Sequence, residues 1–152
     1  MTQLIPYLAF SGKCREAMSF YKDCLDGELI LQTVGDSPIA NSMPPEAAQS
    51  IMHSVLTKDG FVLMASDMFD AEEVKRGNST TLMISGNNRE EIEQYFTRLS
   101  VGGQITAPFQ KEFWGDYHGQ VVDKFGVRWM MIFKPAAFQI DPGRQEIMIE
   151  WL

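Results

Sequence analysis

Cysteine and histidine are scarce in this chain, with two residues of each among 152. Both cysteines, Cys14 and Cys24, fall in the first predicted helix. Ten residues of helix span about 15 Å, whereas the Cα atoms of a disulfide lie within about 7 Å, so we expect two free thiols. The first ten residues lack the charged segment and the cleavage site of a signal peptide. Together these features predict a cytoplasmic protein.

Long apolar runs and clusters of basic residues are absent as well. No run approaches the roughly 20 residues that cross a bilayer, so we expect no membrane partner. The 13 Lys and Arg residues are scattered among 20 Asp and Glu residues, which gives a net charge of −7. A nucleic-acid-binding protein needs a basic stripe that neutralises phosphates, and this chain has none. We interpret the acidity as a contribution to solubility.

A pattern of residues occurs twice in the chain. Six residues recur 74 positions later, namely Ser11, Gly12, Arg15, Glu16, Tyr21 and Leu25 as Ser85, Gly86, Arg89, Glu90, Tyr95 and Leu99. Four more recur 66 positions later, namely Val55, Lys58, Gly60 and Met64 as Val121, Lys124, Gly126 and Met130. This period is too long for a solenoid and too short for two ordinary domains. It predicts two modules, at about 3–67 and 79–134, within a single domain of residues 1–152.

Apolar alternation and turn residues predict the element order βαβββ in each module. In module one, strands are predicted at 5–10, 28–34, 51–58 and 61–66, and a helix at 13–25. In module two, strands are predicted at 80–85, 104–109, 119–123 and 127–133, and a helix at 89–100. Gly27 is expected to end the first helix, Asn88 to cap the second, and Asp59-Gly60 to form a hairpin.

Three segments lie outside this repeated pattern. The loop at 35–49 contains three prolines and is long enough to act as a lid. The charged segment at 68–78 is predicted to link the modules. The C-terminal extension at 135–152 ends in apolar residues, so we expect it to dock on the core or on a partner subunit.

Several segments carry a resemblance to a known family. The most specific are Phe113-Trp114-Gly115 and the run from Asp123 to Met130; Pro6 to Phe10, Met52-His53 and Leu63 to Asp67 support them. On these segments the chain resembles the vicinal oxygen chelate superfamily, which includes glyoxalase I, bleomycin-resistance proteins and extradiol dioxygenases, and within it the PhnB-like branch. The resemblance implies an α+β fold of two βαβββ modules with curled, mostly antiparallel sheets, a pocket on the concave face, and a homodimer.

The resemblance also bears on metal binding. In metal-dependent members, His or Glu on the first and last strand of each module holds the ion. The corresponding positions here are Tyr7, Met64, Thr80 or Thr81, and Met130. Thioethers are poor ligands for such ions, and Tyr and Thr are uncommon ones, so we predict no metal site. We also expect no cofactor: the branch is sometimes labelled as ubiquinone-pathway methyltransferases, but the chain lacks a G-x-G-x-x-G turn and a βαβ alternation.

Six residues are predicted to line a small-molecule site: Tyr7, His53, Met64, Trp114, Trp129 and Met130. Trp114 stands between charged residues, where a purely structural tryptophan is less expected, and it is predicted to stack with Tyr7 on a planar or aliphatic ligand. His53 is the candidate acid or base, against the alternative of a half-buried strand histidine with one backbone partner. His118, close to Asp116, is interpreted as part of a solvated loop rather than of an Asp–His pair.

Three functions remain open on these residues. The first is a metal-independent small-molecule-binding protein that acts as a homodimer in the cytoplasm. The second is an enzyme of the lyase, isomerase or dioxygenase type, acting on a small carbonyl or aromatic substrate with His53 as acid or base. The third is a protein-interaction module that uses the dimer surface and the C-terminal extension.

Overall fold

The computed structural model describes residues 1–69 and 73–134. The chain divides into two compact units, Met1–Arg76 (unit 1) and Gly77–Leu152 (unit 2). The predicted C-terminal extension at 135–152 and the middle of the predicted linker, residues 70–72, lie outside the described residues. Within the described part of the chain, no helix is both long enough and apolar enough to span a membrane.

Unit 1 has the predicted element order. Its elements are β1 (Tyr7–Phe10), α1 (Cys14–Leu25), β2 (Glu28–Thr33), two 3₁₀ turns (Ala40–Ser42 and Pro45–Ala47), β3 (Ile51–Lys58) and β4 (Phe61–Asp67). The sheet order is β1-β4-β3-β2; β1 and β4 are parallel, and the other neighbours are antiparallel. One face of this sheet packs against α1, and no helix among the described residues of unit 1 covers the other face.

Helix α1 forms because its apolar side chains recur on one side at helical spacing. Ala17, Met18, Tyr21 and Leu25 are completely buried there. Burial of a large apolar side chain contributes about 1.5–3 kcal/mol, so this stripe fixes the helix on the sheet. The Cys14 Sγ lies 3.5 Å from the Ser54 hydroxyl of β3, which identifies the side of the strand that faces the helix. We call that side of each sheet the helix face, and the opposite side the far face.

Unit 2 repeats the arrangement. Its elements are β5 (Leu82–Gly86), α2 (Arg89–Leu99), β6 (Gln104–Lys111), β7 (Tyr117–Val122) and β8 (Arg128–Phe133). The sheet order is β5-β8-β7-β6, again with one parallel pair, β5 and β8. Two strands of unit 2 begin two residues from the expected position: β5 starts at Leu82 instead of Thr80, and β7 starts at Tyr117 instead of Gly119.

Two glycines identify the helix face of unit 2. A Cβ on Gly119 would lie 2.7 Å from the Phe96 ring of α2, and a Cβ on Gly86 would lie 3.0 Å from Ile92. Strand residues alternate between faces, so every second residue from Gly119 along β7 also faces α2. Gly119 pairs with Met131, and Val121 pairs with Trp129. These cross-strand partners therefore belong to the core of unit 2.

The ends of the helices correct one expectation and confirm another. Helix α1 is terminated by Asp26, which adopts the left-handed conformation with φ of 52°, and not by Gly27. Gly27 is required for a different reason: a Cβ there would lie 2.7 Å from Leu56 and 3.0 Å from the Thr57 carbonyl oxygen. At the start of α2, the Asn88 side chain accepts a hydrogen bond from the backbone N–H of Glu91, as predicted.

The predicted hairpin turn is present, and a second turn precedes β8. Gly60, with φ of 87°, closes the hairpin between β3 and β4. Before β8, one carboxylate oxygen of Asp123 accepts hydrogen bonds from the backbone N–H groups of Phe125 and Val127, at 2.8 and 3.0 Å. Gly126, with φ of 83°, completes that turn. The segment from Asp123 to Gly126 is therefore structural.

Candidate functional site

The far face of unit 1 brings three of the predicted site residues together. Tyr7 on β1 pairs with Met64 on β4, and Met64 pairs with Val55 on β3. His53 lies two residues before Val55 and therefore shares its face. Tyr7 is 54% exposed, whereas His53 and Met64 are half-buried. An aromatic ring, an imidazole and a thioether thus form one surface.

Tyr7 and His53 contact each other directly. Their rings are stacked, with centroids 6.1 Å apart, and the Tyr7 hydroxyl lies 3.5 Å from His53 Nδ1. Gln32 on β2 lies opposite His53 in the sheet. In the described part of the chain, His53 has no ion pair with a carboxylate. A histidine in this setting can exchange a hydrogen bond with a ligand, but no acidic group orients its ring for proton transfer.

The far face of unit 2 carries the counterpart surface. Met130 on β8 lies between Met83 on β5 and Gln120 on β7. His118 lies two residues before Gln120 on the same side of β7, opposite Ile132. Methionine side chains are flexible and polarisable and adapt to apolar ligands of irregular shape. The amide and the imidazole supply polar atoms beside them.

Trp114, in the turn between β6 and β7, is held in a fixed position beside this surface. Its indole N–H donates a hydrogen bond to Asp116 at 3.1 Å. The same carboxylate oxygen accepts from the Lys134 ammonium at 2.9 Å, and both of these charged side chains are buried. The ring itself is 54% exposed and lies 6.4 Å from the His118 ring, centroid to centroid.

A buried ion pair is costly to desolvate and is retained only where its geometry is well satisfied. Here the Asp116 carboxylate has two donors, one from Lys134 and one from Trp114. The pair therefore fixes the indole plane, because rotation of the ring would leave the buried carboxylate with one donor fewer. The result is a large aromatic face that is exposed yet rigid.

His118 differs from its expected position in a solvated loop. It is the second residue of β7, and its side chain is only 15% exposed. Glu112 Oε1 lies 3.6 Å from Nδ1, and the Gln120 amide nitrogen lies 3.1 Å from Nε2. The carboxylate beside His118 is therefore Glu112, since Asp116 bonds to Lys134 and Trp114. Glu112 lies in the connection after β6, three residues beyond the predicted end of that strand, so nothing in the sequence indicates this contact.

Five of the six predicted site residues lie on or beside a far face, and Trp129 does not. Trp129 is on the helix face of β8, is 3% exposed, and donates its indole N–H to Asp123 at 2.8 Å. A ligand on the far face cannot reach this ring, so Trp129 is left out of the candidate site. Which face of β8 carries Trp129 could not be predicted from the sequence, because alternation along a strand assigns faces only when the register is known.

The sheet register also corrects the positions at which related proteins hold a metal ion. Tyr7 pairs with Met64 in unit 1, and Met83 pairs with Met130 in unit 2. Met83, and not Thr80 or Thr81, is thus the counterpart of Tyr7. Neither pair, a phenol with a thioether in unit 1 or two thioethers in unit 2, fits a divalent ion that takes nitrogen or carboxylate oxygen ligands. Among the described residues, no three His, Cys, Asp or Glu side chains converge as metal ligands.

Two βαβββ units, each with a helix on one face of a mixed four-stranded sheet, define the class of this protein as a vicinal oxygen chelate fold. A family model described as 3-demethylubiquinone-9 3-methyltransferase matches residues 2–132, and the chain belongs to this PhnB-like family. A solved glyoxalase/bleomycin resistance protein/dioxygenase family enzyme from Burkholderia phytofirmans, 8% identical, shares the fold at a TM-score of 0.55.

Three further proteins are more similar. Protein PA1353 from Pseudomonas aeruginosa is 34% identical, with 89% of this chain and 99% of that chain covered and a TM-score of 0.78. Protein YjdN from Escherichia coli is 29% identical over 136 residues, which cover 84% of this chain and 92% of YjdN. A putative 3-demethylubiquinone-9 3-methyltransferase, PhnB protein, from Bacillus cereus is 24% identical, with 88% and 100% covered and a TM-score of 0.73.

Proposed function

We propose that this protein binds a small organic molecule on the far faces of its sheets without a metal ion, and that it does so as a cytoplasmic homodimer. The family and the fold support small-molecule binding in general. The particular residues support a ligand that is largely apolar and offers at least one polar group, because aromatic and thioether side chains surround a few polar atoms.

The observation that carries this proposal is that the exposed indole of Trp114 is already held in one orientation. An exposed tryptophan with no fixed position would lose side-chain freedom on binding, which costs about 0.5–1.5 kcal/mol for a side chain of this kind. Trp114 avoids much of that cost, since Asp116 and Lys134 already hold the indole.

The metal-free part of the proposal is supported by the donor set. The four positions that correspond to metal ligands in related proteins carry Tyr7, Met64, Met83 and Met130. The same side chains suit an organic ligand, because a phenol and thioethers make favourable contacts with rings and alkyl groups. The proposal therefore assigns to ligand binding, in each unit separately, the far-face positions that correspond to metal ligands in related proteins.

Native mass spectrometry of freshly purified protein tests the proposal as a whole. The expected result is a dimer without metal that carries a small-molecule adduct of defined mass, which can be extracted and identified. The spectrum is repeated after incubation with Ni²⁺, Zn²⁺ and Fe²⁺. One specific metal ion per site would contradict the metal-free assignment and would make a metal-dependent enzyme the better hypothesis.

Substitution of Trp114 tests the observation on which the proposal rests. We expect Trp114→Ala to weaken binding of the extracted ligand about tenfold or more, which is about 1.4 kcal/mol. Val101→Ala is the control, because Val101 is also exposed but follows α2, away from the far face. Isothermal titration calorimetry measures both variants. Equal affinities for the wild type and Trp114→Ala would overturn the placement of the ligand.

A further inference from the structure

Unit 2 contains an acid–base arrangement that the small-molecule site does not by itself require. His118 projects from β7 onto the far face, with Glu112 on one side of its ring and Gln120 on the other. The Nδ1 atom is buried and has no hydrogen-bond partner among the described residues, although a carboxylate oxygen lies 3.6 Å away. A buried ring nitrogen that approaches a carboxylate without bonding to it calls for an explanation.

The contacts favour one tautomer of the neutral ring. The Glu112 carboxylate is an acceptor only, so it favours a hydrogen on Nδ1. The Gln120 amide nitrogen is a donor only, and at 3.1 Å it requires a lone pair on Nε2. Both neighbours therefore select the form with hydrogen on Nδ1 and a basic Nε2. A histidine whose Nδ1 is oriented by a carboxylate is the usual arrangement of a general base.

Trp114 lies next to the His118 ring. The two rings meet at 60°, with centroids 6.4 Å apart, so a planar molecule stacked on the indole would present its edge toward His118. The donor that now satisfies Nε2 is a glutamine side chain, which can rotate away. A ligand hydroxyl can replace it, because the exchange keeps one donor on the nitrogen.

We propose that His118 accepts the proton of a phenolic or enolic hydroxyl group on a planar ligand stacked against Trp114. The ligand O–H bond breaks, an N–H bond forms at Nε2, and the oxygen keeps the electron pair as an oxyanion. The imidazolium then carries hydrogen on both nitrogens, and its Nδ1–H faces the Glu112 carboxylate, which stabilises the positive charge. No oxidant, reductant or metal ion takes part. This inference rests on the proposed function, since it needs a ligand at Trp114.

The charged groups around His118 agree with this role. Glu112 follows β6, Asp116 precedes β7 and Lys134 follows β8. Lys134 and Asp116 pair with each other, which leaves Glu112 as the carboxylate directed at the imidazole. His53 in unit 1 offers a comparison, because its Nδ1 faces a tyrosine hydroxyl instead of a carboxylate. The acid–base role predicted for His53 therefore fits His118 better.

4-Hydroxyacetophenone is a suitable probe, because it is planar and its phenolate form absorbs at a longer wavelength than its neutral form. The full-length protein is mixed with the probe near neutral pH, where free probe and free imidazole are both largely neutral. Equilibrium dialysis measures total binding, and absorbance measures the ionised fraction. The expected result is bound probe with a phenolate band. In His118→Gln, we expect binding within about threefold of the wild type with the band lost.

Three variants separate the roles. Glu112→Gln should reduce the phenolate fraction of bound probe, because the amide cannot stabilise an imidazolium charge. Val101→Ala is the control, because Val101 is exposed after α2 and outside the far faces, and it should keep the band. Trp114→Ala should lose binding and band together.

Each remaining outcome decides against a particular claim. A wild-type protein that binds the probe only as the neutral phenol, or a His118→Gln variant that keeps the band, overturns the proton-acceptor role while small-molecule binding stands. No binding of the probe in dialysis overturns the phenol or enol class, whereas a mass-spectrometric adduct lost in Trp114→Ala would still support the proposed function. A phenolate band lost in His53→Gln and kept in His118→Gln would assign the role to unit 1.

Discussion

The thiol of Cys14 illustrates how one buried group links packing to chemistry. Cys14 is the first residue of α1; its backbone N–H donates to Asp67 at 3.1 Å, and its sulfur lies 3.5 Å from the Ser54 hydroxyl. The pKa of this thiol is raised from 9.0 to about 11, chiefly by burial. The hydrogen-bond contact with Ser54 opposes this rise, and the Asp67 carboxylate adds to it. A thiol this buried and this weakly acidic is a packing group and a poor nucleophile.

This raised pKa predicts a loss of stability at alkaline pH. Between pH 9 and about 11 the unfolded chain releases the Cys14 proton while the folded chain retains it, so the free energy of unfolding falls as pH rises. The contribution is fully present below pH 9. Each pKa unit corresponds to about 1.4 kcal/mol, so the loss is about 2 kcal/mol near the upper end.

Urea unfolding of the wild type and of Cys14→Ala measures this effect, because the difference between the two removes the contributions of other titrating groups. We expect the advantage of the wild type to shrink by about 1–2 kcal/mol from about pH 7 to about pH 10.5. An advantage that does not change with pH would mean that the thiol ionises equally well in both states.

The extent to which sequence predicts the site is also decided residue by residue. The exposure of Trp114 was predictable, because a large aromatic residue between charged neighbours is unusual in a core. The setting of His118 was not, because Glu112 comes beside the ring only through the β6–β7 hairpin, and Gln120 shares its face only once β7 is known to include both residues. The burial of Trp129 was not predictable either, since its face follows from its pairing with Val121.

Among the elements, helices and central strands were predicted closely and strand ends were not. The apolar stripe of α1 and the Asn88 cap of α2 are local features, and both helices begin within one residue of their predicted starts. The start of β7 is set by pairing of Tyr117 with Phe133 and Lys111, which are distant in sequence. Local propensity cannot report such a pairing, so β7 was predicted to start two residues too late.

A glycine at the end of a helix or strand can be required by a positive φ or by a neighbouring atom that leaves no room for a Cβ. Unit 2 allows a test of the second requirement. A Cβ on Gly103 would contact the Val122 carbonyl oxygen and lie 2.9 Å from the Asp123 Cα, both of them backbone atoms. A Cβ on Gly86 would lie 3.0 Å from the end of the Ile92 side chain, which can rotate. Neither glycine has a positive φ, so the comparison isolates steric contact from backbone strain.

We expect Gly103→Ala to destabilise the protein by about 2–3 kcal/mol, because backbone must shift to admit the methyl group. Gly86→Ala should change stability by no more than about 1 kcal/mol, since a side chain can yield and alanine is less flexible than glycine in the unfolded chain. Urea unfolding at neutral pH measures both variants. Equal losses would show that the β7–β8 turn adjusts as easily as a side chain does.

At the level of the whole chain, the internal repeat predicts which positions of the two units correspond. The correspondence shifts wherever the connections between elements differ in length. The helices repeat at an offset of 74 residues, which would place the counterpart of Tyr7 at Thr81. Residues 11–13 connect strand to helix in unit 1, whereas only residues 87–88 do so in unit 2. The register accordingly identifies Met83 as the counterpart. Corresponding strands must be aligned by their pairing, because pairing decides which side chains share a face.

The resulting set of one tyrosine and three methionines predicts that the whole protein gains no stability from divalent metals. An ion that binds only the folded state at 100 times its dissociation constant adds about 2.7 kcal/mol, which raises the Tm of a chain of this size by about 5 °C or more. We expect no such rise when tag-free protein is heated with Mn²⁺, Ni²⁺ or Zn²⁺, and no fall after treatment with EDTA. A saturable rise that EDTA reverses and that Tyr7→Phe diminishes would contradict the prediction, because it would locate an ion at the far face of unit 1. Since the scan reads the unfolding of the folded chain and not an activity, its result does not depend on knowing the ligand.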